Sequence, residues 1–186
     1  MLSLLFKRSL LTTFFLHASE LCENRKLHVE KKTLYIPGTQ DVWELIQEAK
    51  FGKSKFANGY IHKGFSEIYF KNLNTYIDIV NDNDIEQIVG YSLGGVMGIL
   101  LAYELSFQGR PLNRVVTFGC PKIGDIKHRK DFKVYRIFNK KDIVTQLPPL
   151  CSHIGDGIHA DFNLRSVLEN HRIENYKNKL ETMLNN

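Results

Sequence analysis

The sequence is poor in cysteine, has no long apolar run and lacks basic blocks interleaved with aromatic residues, and each absence excludes a class of protein. Cys22, Cys120 and Cys151 have no regular spacing and make no disulfide framework, and a zinc site at the last two with His153 lacks a C-x-x-C pair. The apolar run Ser9–Leu16 is too short to cross a bilayer. No lysine- and arginine-rich block carries aromatic side chains, so we expect no nucleic-acid partner.

The composition is that of a globular protein with one hydrophobic core. The 186 residues are 43% hydrophobic and 24% charged, which predicts a single domain over residues 1–186. The formal net charge is +5. This charge is typical of a solvated lysine-rich face, and the alternative is weak attraction to an anionic lipid surface.

The N-terminal segment supports two interpretations. A basic pair at positions 7–8 followed by the apolar run resembles a weak signal peptide, although no small-x-small cleavage site follows. The spacing of Leu5, Leu10, Phe14 and Leu21 instead predicts a helix that packs on the domain. We favour the packed helix and a cytoplasmic location, whereas a signal peptide would mean secretion.

Strand-like and helix-like segments alternate along the chain. Residues 25–39 resemble two short strands, and residues 50–59 a polar connection. The alternation predicts an α/β fold with a mainly parallel central sheet, helices on both faces and functional residues at the carboxyl ends of the strands. Further strands are predicted at 85–90, 114–119, 132–139 and around Ile158, a turn at 81–84, and helices at 41–49, from Gly64 to about Asn81, at Leu93–Leu105 and over a C-terminal segment with Ile173, Tyr176, Leu180 and Leu184 on one face.

Residues 90–94, GYSLG, fit the pattern G-x-S-x-G where a predicted strand meets a predicted helix. In a nucleophile elbow the serine lies on a strained turn, and a Cβ at either flanking glycine would collide with neighbouring backbone. The following helix directs its first N–H groups and the positive end of its dipole at a developing oxyanion. Ser92 is therefore a candidate nucleophile, and the alternative is a serine N-cap on a buried helix.

A serine nucleophile needs a base and an acid that orients the base, and the chain offers several of each after Ser92. Asp142 is favoured because it follows the strand predicted at 132–139, at the sheet edge that carries active-site loops. Asp125, after PKIG, is interpreted as a turn or helix-start residue. Chain order alone leaves the other choices open. The acids before the last histidine are Asp125, Asp131, Asp142, Asp156 and Asp161, and the histidines are His128, His153, His159 and His171.

Five short segments resemble sequence blocks of the class 3 lipases of the fungal type, and they occur along the chain in the same order as in that family. GYSLGG at 90–95 resembles the elbow of that family, which usually has histidine before the serine. The resemblance implies the α/β-hydrolase fold. The other segments are YIPGTQ at 35–40, IHKGF at 61–65, VVTFGCPKIGD at 115–125 and RIFNKKDIVTQLPP at 136–149.

The resemblance implies a role for each residue at a matching position. Ser92 would be the nucleophile, His171 the base at the opening of the last helix, and Asp142 the acid that orients the base. The oxyanion hole would consist of the N–H groups of Thr39 and Leu93, with the hydroxyl of Thr39 as an additional donor.

Some positions in these segments differ from the residue usual in the family, and two others further along match family features outside the triad. Tyr91 replaces the usual histidine before the nucleophile, and we expect it to take no part in the chemistry. Thr145 replaces a proline in the segment after Asp142. Tyr176 stands near the aromatic position that follows the family's base, and His153 belongs to an H-x-G sequence that is structural in the family.

The chain is short between Thr39 and His62, with room for one helix around Trp43 and a polar loop. We therefore expect no large hinged lid, which favours an esterase or phospholipase-like enzyme over one that needs strong interfacial activation. His62 stands at a predicted helix start, and we expect it to make a structural hydrogen bond.

These residues predict hydrolysis of a lipid or small ester through a covalent acyl-serine intermediate, with no metal or organic cofactor. A phospholipase A1-like hydrolase is one alternative, and a serine peptidase or thioesterase would share the triad. A non-catalytic binding or scaffold protein is the alternative from another class, disfavoured because every triad position is filled. The expected partners are the ester substrate and, transiently, a lipid or membrane surface.

Overall fold

A computed structural model describes residues 17, 20, 26–39, 52–127, 129 and 131–185. Most of the predicted N-terminal helix and all of the helix predicted at 41–49 lie outside these residues, as do Cys22 and Trp43. No helix within the described residues combines the length and the hydropathy needed to cross a membrane.

The strands are β1 (His28–Glu30), β2 (Thr33–Ile36), β3 (Lys53–Phe56), β4 (Gly59–His62), β5 (Gln87–Tyr91), β6 (Arg114–Phe118), β7 (Gly124–Asp125), β8 (Lys133–Phe138) and β9 (Asp156–His159). The helices are α1 (Lys63–Asn83), α2 (Leu93–Phe107) and α3 (Ile173–Asn185), and a 3-10 turn spans Ile143–Gln146.

Six strands form the central sheet in the order β1-β2-β5-β6-β8-β9. β1 is antiparallel to β2, and every other neighbouring pair is parallel. The predicted α/β fold with a mainly parallel sheet is confirmed. Because parallel strands end at the same edge, the segments that follow β2, β5, β6 and β8 converge there.

Alternating side chains of the central strands enter two hydrophobic cores, one on each face of the sheet. Ile88 and Val115 pack in the core that contains residues of α1 and α2, whereas Val89 and Val116 pack in the core that contains residues of α3. Helix α2 has 13 buried residues among its 15, so it is covered on nearly every side. This burial agrees with its near-complete lack of a polar stripe.

The polar connection predicted at residues 50–59 is wrong, because β3 and β4 form an antiparallel hairpin there. The strand pattern of β3 is concealed by its outward-facing lysines, Lys53 and Lys55, and only Phe56 in it is buried. The turn places Ala57 at φ 51°, a conformation that sequence patterns associate with glycine or asparagine. Pairing with β4 therefore decides the conformation of a segment whose own residues favour a loop.

Two predicted turns also differ from the structure. Gly124 and Asp125 form the short strand β7 beside β4, which completes a second sheet in the order β3-β4-β7, so Asp125 lies in a strand and not in a turn or helix start. Helix α1 continues to Asn83 and ends at Asp84, which adopts a left-handed conformation at φ 46°. Both differences arise where a short polar segment gains partners from distant parts of the chain.

Candidate active site

Ser92 occupies the turn between β5 and α2 in a backbone conformation that residues other than glycine rarely adopt. Its φ is 53° and its ψ is −123°, and its N–H donates to the Phe118 carbonyl at 2.8 Å. A Cβ at Gly90 would lie 2.4 Å from the Gly94 carbonyl oxygen, and a Cβ at Gly94 would lie 2.1 Å from the Ile36 carbonyl oxygen. The Ser92 side chain makes no N-cap hydrogen bond, so the helix-cap alternative is not supported.

The strain at this turn predicts that glycine at position 92 stabilises the fold relative to alanine, the opposite of its effect inside a helix. Ser92→Gly should be more stable to unfolding than Ser92→Ala by about 1 kcal/mol, because relief of backbone strain exceeds the added chain entropy of glycine. At Ser66, a buried residue inside α1, Ser66→Gly should instead be less stable than Ser66→Ala by about 1 kcal/mol. Urea denaturation of the four variants measures both differences, and equal signs at the two positions would refute strain at the elbow.

Ser92, His171 and Asp142 form one continuous line of hydrogen bonds. Nε2 of His171 lies 2.9 Å from Oγ of Ser92, and Nδ1 lies 2.8 Å from Oδ2 of Asp142. Ser92 and Asp142 are fully buried, and His171 is 8% exposed. Since the carboxylate can only accept, Nδ1 carries the proton, and Nε2 is left to accept from the serine hydroxyl.

The Asp142 carboxylate is satisfied by donors on every side. The N–H of Val144 donates to Oδ1 at 3.0 Å, and the hydroxyl of Tyr176 donates to Oδ2 at 2.7 Å. The hydroxyl of Thr145 donates to the Asp142 carbonyl at 2.7 Å. This bond restrains the segment after Asp142 at the position where the family usually has proline. Burial, and then the charge of Asp142, raise the pKa of Tyr176 well above its ordinary value, so this side chain remains a phenol that donates.

Two buried asparagines join the loop that carries the acid to the loop that carries the base. Nδ2 of Asn139, which directly follows β8, donates to Oδ1 of Asn170 at 3.1 Å, and Asn170 directly precedes His171. Nδ2 of Asn170 also donates to the carbonyls of Leu164 and Ser166, each at 2.9 Å. Sequence reasoning missed both residues, although an amide that ends a strand and an amide that adjoins the base were the available signals.

The predicted oxyanion-hole residues lie at the same edge of the sheet. A Cβ at Gly38 would be 2.9 Å from Cβ of Ser92, so the turn after β2 lies directly against the nucleophile. Thr39 follows in this turn and is half-buried, and Leu93 is the first residue of α2. Both backbones thus lie beside Ser92 in sequence or in space, as an oxyanion hole requires.

The other candidate acids and bases have different partners or lie outside the described residues. Asp125 pairs with Lys53, Asp131 with Arg129, and Asp161 with Lys140. Burial, together with the charges of Arg136 and Lys122, lowers the pKa of His153 to about 4. Of the remaining candidates, Asp156 and His159 are exposed, and His128 lies outside the described residues.

The buried thiols and His62 are not members of the hydrogen-bonded line from Ser92 to Asp142. Cys120 and Cys151 are free, and burial raises the pKa of Cys120 to about 12, so it stays a neutral thiol. In the part of the chain that the structure describes, no group of three histidine, cysteine or acidic residues could hold a metal ion. The N–H of His62 donates to the Ile123 carbonyl and its ring packs on Phe65, but Nδ1 makes no hydrogen bond within the described residues.

Comparison with known proteins identifies the family. The family model described as Lipase (class 3) matches residues 33–152, more than half of the chain. The chain belongs to the class 3 lipase family. The matched range includes Thr39, Ser92 and Asp142 but ends before His171, and it confirms the resemblance carried by the five sequence segments.

Two phospholipases A1 from a plant resemble parts of the chain. Phospholipase A(1) DAD1, chloroplastic, from Arabidopsis thaliana is 28% identical over 107 residues, 47% of this chain and 24% of that protein. Phospholipase A1-Igamma2, chloroplastic, from the same plant is 33% identical over 86 residues, 38% of this chain and 16% of that protein. The matches thus span about a quarter or less of the length of these relatives.

Solved structures share the fold of this class 3 lipase family member. A fungal lipase–inhibitor complex, described as a model for interfacial activation in lipases, is 24% identical with a TM-score of 0.53 and covers 68% of this chain and 57% of its own. MDLA from Penicillium cyclopium is 18% identical with a TM-score of 0.58 and covers 73% of this chain and 57% of its own. At these identities the likeness supports the α/β-hydrolase fold alone.

Proposed function

We propose that this chain is a serine carboxylic ester hydrolase that cleaves acyl esters of lipids. The observation that carries the proposal is the hydrogen-bonded line from Ser92 through both nitrogens of His171 to Asp142. A serine backed by an aligned base and acid is activated for attack on a carbonyl carbon. Membership of the class 3 lipase family and the phospholipase names of the plant relatives support a lipid ester as the substrate.

Acylation uses the geometry of the turn directly. Nε2 of His171 accepts the hydroxyl proton of Ser92 while Oγ forms a bond to the ester carbonyl carbon. The carbonyl oxygen becomes an oxyanion, which the backbone N–H groups of Thr39 and Leu93 stabilise. His171 then donates its Nε2 proton to the leaving alcohol oxygen as the carbon–oxygen bond breaks, and the acyl group remains on Ser92.

Deacylation repeats the same proton movements with water. His171 accepts a proton from water, whose oxygen attacks the acyl carbon, and the second oxyanion collapses with return of the proton to Oγ of Ser92. Asp142 remains a carboxylate throughout, keeps the Nδ1 proton of His171 in place and stabilises the imidazolium. These steps need only side chains, backbone N–H groups and water.

Exposed apolar side chains in the segments that carry the acid and the base favour a substrate presented at a lipid surface. Among the described residues eight large hydrophobic side chains are exposed, and five of them lie in the segments that carry Asp142 and His171. Contact between such a group of side chains and lipid removes apolar surface from water. We propose that these residues make the transient lipid contact, and they are Ile143, Leu150, Leu164, Val167 and Leu168.

A fluorophosphonate probe and a panel of esters test the proposed function. The probe should label wild type but not Ser92→Ala, because only an activated serine reacts readily. The panel contains p-nitrophenyl butyrate and octanoate, a monoglyceride, a triglyceride and phosphatidylcholine, and we expect octanoate to be hydrolysed faster than butyrate. Release of the fatty acid from position 1 of phosphatidylcholine would support the second candidate, a phospholipase A1, which the plant relatives favour. A folded wild type that neither labels nor hydrolyses any ester would support the non-catalytic alternative.

A further inference from the structure

Tyr91, the last residue of β5, contacts the base at two points. Its hydroxyl donates to the backbone carbonyl of His171 at 2.8 Å. Its ring stacks on the imidazole, with the ring centroids 5.1 Å apart and the planes inclined by 29°. One side chain therefore restrains both the backbone and the ring of His171.

The same ring lies against the turn that holds the predicted oxyanion donor. A Cβ at Gly38 would lie 2.9 Å from Cδ1 and 3.1 Å from Cε1 of Tyr91. Tyr91 directly precedes Ser92 in the chain. Its side chain therefore lies next to the nucleophile and contacts both His171 and the turn after β2. The half-buried ring fills the space between these parts.

The base needs restraints that do not change during the reaction. The hydrogen bond from Ser92 to Nε2 of His171 is lost each time the proton moves, because Nε2 then carries the proton and faces the leaving group. The Tyr91 contacts use the backbone carbonyl and the face of the ring, and neither contact is broken when Nε2 gains the proton, because an aromatic ring also attracts a cationic one. They can therefore hold the imidazole while Nε2 exchanges its partner.

We propose that Tyr91 is a positioning residue that keeps His171 and the Gly38–Thr39 turn aligned with Ser92. This inference rests on the proposed function, since it assigns a role in the same site. It also gives a role to a position where the chain departs from the family pattern. We expect the tyrosine to take no part in proton transfer and to hold the residue that does.

Tyr91→Phe tests the proposal because it keeps the ring and removes the hydroxyl. We expect kcat for p-nitrophenyl octanoate to fall about tenfold with KM unchanged, the factor associated with one lost neutral hydrogen bond. The rate of fluorophosphonate labelling should fall by the same factor. Tyr103→Phe is the matched control, because the Tyr103 hydroxyl on α2 also donates to a backbone carbonyl, that of Lys127, at 2.8 Å. The control should shift the melting temperature by a similar amount and leave kcat unchanged.

A measurement without turnover separates failure of this proposal from failure of the proposed function. The downfield proton resonance of Nδ1 in His171, assigned by its absence in His171→Gln, reports the hydrogen bond to Asp142. In Tyr91→Phe this resonance should broaden or disappear through faster exchange, and in Tyr103→Phe it should persist. An unchanged resonance together with wild-type kcat would overturn the positioning role. If the wild type hydrolyses no ester but Tyr91→Phe still loses the resonance, the positioning role is retained and only the hydrolase function is rejected.

Discussion

Ser92→Ala should lower kcat for ester hydrolysis by about a million-fold while the protein stays folded. Oγ of Ser92 is the atom that attacks the carbonyl carbon in the proposed mechanism, and it lies 2.9 Å from Nε2 of His171. Some acceleration over water should persist, because the oxyanion donors and the binding surface are unchanged. Initial rates with p-nitrophenyl octanoate, at enzyme concentrations high enough to detect the residual activity, measure the loss.

Ser66→Ala is the matched control for this substitution. Ser66 is 5% exposed and lies inside α1, so the same atom is removed from a buried site outside the triad. We expect wild-type kcat and a similar melting temperature for this variant. Residual activity of Ser92→Ala within tenfold of wild type would refute Ser92 as the nucleophile, provided that mass spectrometry excludes contaminating wild-type enzyme.

Asp142→Asn should lower kcat by about ten-thousand-fold with little change in fold. Val144 donates to Oδ1 and therefore orients the new side chain with its oxygen on that side. The amide nitrogen then faces Nδ1 of His171 and donates to it, which forces the imidazole proton onto Nε2. A protonated Nε2 cannot accept the proton of Ser92, so the nucleophile is no longer activated.

Asp161→Asn is the control for the loss of a carboxylate at the same end of the sheet. Asp161 is exposed and accepts from the backbone N–H of Lys140 at 3.2 Å, a bond that an amide oxygen can replace. Its kcat should equal that of wild type. A loss of less than tenfold in Asp142→Asn, measured beside this control, would show that Asp142 does not set the tautomer of the base.

Two features of the site are predictable from local sequence: the glycines around Ser92 and the position of Asp142 after a strand. Gly90 and Gly94 are required because a Cβ at either position would overlap backbone carbonyl oxygen, and this need is visible as G-x-S-x-G in one short segment. The strand predicted at 132–139 points to Asp142 as the acid, and β8 ends at Phe138, shortly before this residue. The catalytic roles of these residues stay predictions until the variants are assayed.

The contacts that hold the triad were not predictable from local patterns. In the sequence Tyr91 is only a departure from the family pattern, yet in the structure it contacts His171, which lies 80 residues further along the chain. No motif marks Asn139 or Asn170, although their hydrogen bond joins the acid and base loops. In each case the partner is supplied by a distant segment, and no periodicity or short motif records that pairing.

The amino-acid sequence by itself determined the order of strands and helices in the central α/β unit and the serine turn at Ser92. Both follow from local physical demands: apolar periodicity along each element, and small residues where backbone must approach backbone. Chain order left several histidines and acids open, and only the tertiary structure shows that His171 and Asp142 are the pair that meets the serine. His171 lies 79 residues from Ser92 and 29 from Asp142 in the chain, and only the parallel sheet, which brings its strand ends to one edge, places them within hydrogen-bond distance.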